Sequence, residues 1–249
     1  MTHDILFEAG VVALCLAAGG VLKGATGAGA PLLAVPALAA FFDVRFAVVV
    51  MLIPNLATNA WQAVRYRRNL PEGTFTAPLL LGGVIGIILG TLALKNLQSS
   101  LLSLVMAAAV LGYVALRLAR PHWRLEMAQA KWLALPAGTA AGALQGAAGL
   151  SAPVSITFLN AMQMGRERFI AAISALFVTF TIVQLLAISL SGLLGPRELW
   201  YSLLALLPLS LAMPAGAWLG RRVSARALDR MLLAMLCLIA TKLLIEQFG

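Results

Sequence analysis

Long apolar runs alternate along the chain with short polar or glycine-rich interruptions, and most of the runs are long enough to cross a hydrocarbon core of about 30 Å. A helix that is apolar all round and close to twenty residues long belongs inside a bilayer. The pattern predicts spans at residues 5–22, Arg45 to Val64, Thr74 to Leu94 and a run closing at Leu118. It then predicts Trp132 to Ala148, Phe169 to Leu190, Leu199 to Leu219 and Leu228 to Phe248. Two runs are too short to cross. Pro31 to Phe42 covers 12 residues, about 18 Å at 1.5 Å per residue, and Pro153 to Met162 is shorter still. Each reads as a half-helix returning from mid-membrane, and proline suits its first turn because the missing N–H has no partner there anyway.

Each short run follows a glycine-rich break, and the breaks are copies. Residues 20–36 read Gly-Val-Leu-Lys-Gly-Ala-Thr-Gly-Ala-Gly-Ala-Pro-Leu-Leu-Ala-Val-Pro. At an offset of 122, Gly24, Gly27, Gly29 and Pro31 align with Gly146, Gly149, Ser151 and Pro153, and Lys23 falls opposite Gln145. Gly86 and Gly90 match Gly216 and Gly220 at an offset of 130, so the duplication runs the length of the chain. It predicts repeats at 1–124 and 125–249 within one integrated transmembrane domain. Gly82, Gly86 and Gly90 share a helix face suited to close packing within the bundle, with a homodimer through that face as the alternative.

Charge fixes how the repeats are related. If each break is a hairpin that enters and leaves on one side, 13 of the 18 Lys and Arg lie inside and 4 outside, with Lys23 left in the membrane. If the second break crossed instead, the count would be 9 against 8. The positive-inside rule selects the first arrangement. One hairpin then dips from outside and the other from inside. The expected fold is an all-α polytopic membrane protein of two inverted repeats, each a glycine-broken helical hairpin plus three transmembrane helices, as in many secondary transporters.

Composition agrees. The 249 residues are 61% hydrophobic and 11% charged, with a mean hydropathy of +0.95, so the lipid bilayer is the first partner to expect. The net charge of +9 is accounted for by topology, and no soluble segment exists to carry a nucleic-acid site. Cys15 and Cys237 lie in apolar runs and predict no disulfide. Asp4 and Glu8 stand where a signal peptide has its positive charges, so the first run is read as a span.

The candidate chemistry gathers at the breaks. A half-helix beginning at mid-membrane aims its unpaired N–H groups and the positive end of its dipole at any anion there. Gly24, Gly27, Gly29 and Ala30 in the first copy, with Gly146, Gly149 and Ala152 in the second, let backbone approach a ligand closely. Thr26, Ser151 and Gln145 add donors. Lys23 is the one ionisable group at this depth, and its expected partner is a bound anion, with snorkelling or backbone carbonyls as the alternative. Asn55, Asn59 and Gln62 recur at i, i+4 and i+7 on the next span, and Phe177, Thr181 and Gln184 hold the equivalent positions in the second half. Of these, Asn55, Asn59, Thr181 and Gln184 join the expected substrate site, and helix-to-helix bonding is the competing role. Pro54 is expected to kink its span.

No Asp, Glu or His is placed deep inside a span, since Glu8, Asp229 and Glu246 stand near span ends. His3 is terminal and His122 lies in a polar linker. No acid, base or activated nucleophile is evident for catalysis, no carboxylate proton relay is evident, and no metal or cofactor is expected.

The paired glycine breaks followed by proline resemble the TauE/SafE family of sulfite and organosulfonate exporters. The matching residues are Gly24, Gly27, Gly29, Pro31 and Pro36, with Gly146, Gly149, Ser151 and Pro153. Alanines interrupt the first copy and Ser151-Ala152 replaces glycines of the second, where family members often carry glycine triplets. The resemblance implies a multi-pass inner-membrane transporter, in all expectation an exporter, for sulfite or a sulfoacetate-like organosulfonate. Dipole, glycines and Lys23 by themselves imply only some small anionic substrate, bound between the breaks and moved by alternating access. An anion channel or permease, or a membrane enzyme acting on a lipid phosphate, are the rival readings.

Overall fold

The structure is a computed structural model that describes residues 2–71, 75–119 and 123–248. The expected span start at Thr74 and the linker residues Arg120 and His122 lie outside the described residues, as do the side chains of His3, Asp4 and Arg226. All regular structure among the described residues is helical: α1 (Thr2–Thr26), α2 (Ala30–Ala39), α3 (Val44–Val50), α4 (Leu52–Arg65), α5 (Thr76–Asn96), α6 (Ser99–Ala119), α7 (Met127–Ala148), α8 (Ala152–Ala161), α9 (Arg166–Leu190), α10 (Pro196–Arg222) and α11 (Ala225–Phe248), with a short 3-10 turn at Arg67–Asn69. Six helical stretches among them are long and apolar enough to cross a membrane. The protein is an all-α polytopic membrane protein.

Both short helices appear where the run lengths place them, with ten residues each. The long arm before each break is longer than expected. α1 continues through Gly19, Gly20 and Gly24, so the first break narrows to residues 27–29 and its long arm reaches 25 residues. Those glycines stay helical because neighbours fill the space their side chains leave. A Cβ on Gly19 would meet Ala34 Cβ at 2.8 Å, one on Gly20 would meet Ala212 Cβ at 3.1 Å, and one on Gly24 would meet Ala217 N at 2.9 Å. Close helix contact of this kind outweighs the low helix propensity of glycine. The break therefore comes at the end of a full-length helix.

The span predicted from Arg45 to Val64 divides into α3 and α4 at Met51. Asp43 caps α3, its carboxylate accepting from the Arg45 N–H at 2.9 Å. Pro54 explains the division, because it has no N–H to give to the Val50 carbonyl. Ser202 of α10 fills the gap: its hydroxyl donates to Val50 O at 3.1 Å and accepts from Ile53 N at 2.9 Å.

The main helix pairings cross between the halves. α1 packs on α10, α5 on α7, α4 on α9 and α6 on α11. The glycine stripe of α5 is filled by α7 of the same chain: a Cβ on Gly82 would meet Thr139 N at 2.9 Å, and Gly138 and Gly142 of α7 return the contact onto Leu79 and Gly83. Gly216 and Gly220 of α10 sit in the same way on Val21 and Ala25 of α1.

Polar contacts join loops and helix ends that lie far apart in the chain. At the arginine-rich end, Arg117 pairs with Asp229 at 3.2 Å and Asn69 donates to Glu167 at 2.9 Å. At the other end, Arg45 donates to Leu94 O at 2.9 Å, to Ser99 Oγ at 2.8 Å and to Leu97 O. Lys242 there donates to Ala40 O and lies over the Phe41 ring.

Candidate functional site

Lys23 lies one turn before the first break, on the face of α1 turned toward α4. It is 0% exposed, and its ammonium donates to Asn59 Oδ1 at 2.6 Å. The Asn59 amide in turn donates to the carbonyl of Asn55 at 2.7 Å and to its Oδ1 at 2.6 Å. Asn55 passes the chain to α9, donating to Thr181 Oγ1 at 2.9 Å, and the Thr181 hydroxyl ends on Phe177 O. The i, i+4 spacing places Asn55 and Asn59 on one helix face, and α9 meets that face.

Among the described residues no carboxylate pairs with Lys23; the ion pairs there join Arg45 to Asp43 and Arg117 to Asp229. An ammonium has three donors. The neutral Asn59 accounts for one of them, and among the described residues no backbone carbonyl accepts from the other two.

A second network sits one turn further along α9. Gln145 Nε2 donates to Gln184 Oε1 at 2.7 Å, and Gln184 Nε2 returns a bond to Gln145 O at 2.6 Å. The Gln145 side-chain oxygen also accepts from Ser151 N at 3.0 Å, across the second break. A third contact extends the seam toward the arginine-rich end, where Ser174 donates to Gln62 at 3.3 Å. All of these side chains are buried. The α4/α9 seam is thus a polar column inside an apolar bundle. It runs as separate networks from Lys23, beside the first break, to Gln145, beside the second, and among the described residues no hydrogen bond links one break directly to the other.

The breaks themselves differ. Gly27 and Gly149 both have positive φ, 81° and 66°, as their alignment requires. Gly29 has φ 90° whereas its counterpart Ser151 is right-handed at −74°. Gly29 offers no side chain to cap α2, so the first-turn N–H groups of α2 lack a capping side chain. The start of α8 is largely satisfied: Gln145 holds Ser151 N, Ser151 O accepts from Val154 N and Ser155 N, and Pro153 has no N–H to place. The first break therefore leaves more of its helix-start N–H groups open than the second.

Of the remaining candidates, Ala30 and Ala152 open α2 and α8 and are buried. Gly24 and Gly146 face neighbouring helices, packing on Met213 of α10 and on Ile87 of α5. Thr26 uses its hydroxyl to close the first break, bonding Leu22 O at 2.9 Å and accepting from Ala28 N at 3.3 Å.

Two cavities reach this region from the arginine-rich end. One of ≈ 710 Å³ is lined by Gly24, Gly27, Thr58, Gln62, Arg166 and Arg221 among others. The other, of ≈ 510 Å³, touches Thr26, Gly29, Asn160 and the Arg117–Asp229 pair. Thr58 and Gln62 flank Asn59, so the larger cavity ends beside the residue that holds Lys23. Ser174, Ser202 and Arg166 were not among the expected site residues. Ser174 had a signal, since it stands seven residues before Thr181 on the same face of α9. Ser202 had none, because its role depends on a break in another helix. Among the described residues no cluster of His, Cys, Asp and Glu could hold a metal ion.

No curated protein and no solved structure matches the chain. The family described as "Sulfite exporter TauE/SafE" matches residues 11–243. With nearly the whole chain covered, and with the apolar helices and paired glycine breaks in place, the protein belongs to the TauE/SafE sulfite exporter family of membrane transporters.

Proposed function

We propose that this protein exports a small sulfur oxyanion, sulfite or a sulfoacetate-like organosulfonate, across the cell inner membrane without chemical conversion. The anion is held beside Lys23 and the open start of α2, along the polar seam between the two breaks. The repeats 1–124 and 125–249, inverted with respect to one another, exchange access to that site. The observation that carries this reading is a fully buried lysine with a neutral partner. A cation at the centre of a span costs about 2.5–3.5 kcal/mol on insertion scales, which is the upper bound for Lys23 in the last turn of α1. One hydrogen bond to a charged group returns about 1.5–3 kcal/mol. An anion bound beside Lys23 supplies the remaining stabilisation.

The crossed pairing of α1 with α10 and α5 with α7 supports the repeat arrangement, because the two pairs are exchanged when one half is laid on the other. Export of a monovalent anion from a cell negative inside is downhill by about 2.3 kcal/mol at 100 mV, so no coupling ion is required.

The test is sulfite flux into proteoliposomes of purified protein, against Lys23→Gln. Saturable flux that the variant loses, while still eluting as a folded species, supports the reading. Linear, non-saturating flux with a measurable conductance would establish a channel, and equal flux through Lys23→Gln would remove the lysine from the mechanism.

A further inference from the structure

We infer that Arg166 is the residue that receives the anion at the arginine-rich end and positions it for transfer to Lys23. This rests on the transport reading above. Arg166 is the one residue, among those described, that lines both of the cavities opening at this end. From the same position it reaches the last turn of α1, just before the first break, with Nη2 3.5 Å from Ala25 O, two residues after Lys23.

That contact sits at the outer limit of a hydrogen bond, so it is weak and easily surrendered. The guanidinium has five donors and no other partner among the described residues, which leaves a forked face suited to an oxyanion. Its neighbours do not compete for it. Glu167 accepts from Asn69 at 2.9 Å, and Asp229 is held by Arg117 at 3.2 Å. Arg221, in the larger cavity, adds positive potential without touching the break. An incoming anion therefore exchanges the Ala25 carbonyl for itself on Arg166.

A residue that only stabilises the fold would lower the amount of active protein. A receiving residue changes the concentration dependence of flux. The experiment measures initial sulfite flux against concentration in proteoliposomes for the wild type, Arg166→Gln, Arg166→Lys, Lys23→Gln and the control Arg168→Gln, an exposed arginine two residues away that lines neither cavity. Arg166→Gln is expected to raise KM about tenfold, with the maximal rate within about twofold of wild type. Arg166→Lys keeps the charge and is expected to recover most of that KM, and Arg168→Gln to leave it unchanged. The inference is overturned if Arg166→Gln has wild-type KM while Lys23→Gln abolishes flux, or if Arg168→Gln shifts KM as much as Arg166→Gln does. Both readings fail together if wild-type flux does not saturate. A loss of maximal rate at unchanged KM in both Arg166 variants would make the residue structural and overturn the inference.

Discussion

Gly86 of α5 lies against α7 so closely that an alanine there has nowhere to put its methyl group. The added Cβ would stand 2.6 Å from Ala143 N and 3.0 Å from Gly142 C, with Thr139 O closer still. Carbon–heavy-atom contacts are optimal near 3.5–4.0 Å, so the two helices must part by about 1 Å. All the crowded atoms belong to backbone and none can rotate aside. Overpacking of this kind costs about 1–3 kcal/mol, and the rigid surroundings put Gly86→Ala at the upper end. Alanine regains about 1 kcal/mol through helix propensity, which leaves a net loss of about 2 kcal/mol, or roughly 4–8 °C of Tm for a chain of this size. Gly112 of α6 supplies the control, because a Cβ there meets nothing within 4 Å. Gly112→Ala should be neutral or slightly stabilising. Thermal unfolding of both variants in detergent, followed by loss of the monodisperse elution peak, measures the difference. If Gly86→Ala melts together with Gly112→Ala, the α5–α7 packing described here is wrong.

Ser202→Ala removes the group that bridges Val50 O and Ile53 N, and a buried backbone group left without a partner costs about 1–3 kcal/mol. A fall in Tm is expected, and an unchanged Tm would mean the α3/α4 break closes without it. Gln145→Leu and Gln184→Leu each strand the other amide, so the double variant should lose less than the two singles together, by roughly 0.5–3 kcal/mol in a double-mutant cycle. Strict additivity would show that the pair is uncoupled. Asn59→Ala deprives Lys23 of its partner, and it should destabilise the wild type by more than it destabilises a Lys23→Met background, by about 1.5–3 kcal/mol. Equal losses in both backgrounds would dissociate Asn59 from the lysine.

Much of the seam was legible from spacing alone. Asn55, Asn59, Thr181 and Gln184 were expected to face one zone because 3.6-residue periodicity dictates it, and the structure bonds Asn55 to Thr181. Lys23 was singled out by being the one charge in an apolar stretch, and it is buried there. What sequence could not supply was long-range pairing. Nothing local in α1 says that Gly20 and Gly24 meet α10, so the glycines read as a wide break rather than as a packed helix. Ser202 and Arg166 likewise gain their roles only from a neighbouring helix. The division of α3 from α4 was foreshadowed by Pro54, but its position at Met51 depends on the Ser202 hydroxyl that replaces the missing N–H.

The most direct test of the central claim is isothermal titration of the purified protein with sulfite, sulfoacetate, taurine and acetate, in parallel with Lys23→Met. Saturable binding of the sulfur oxyanions is expected for the wild type, and its loss, or a weakening of at least about tenfold, in the folded variant. Sulfite binding of equal affinity in Lys23→Met would contradict it.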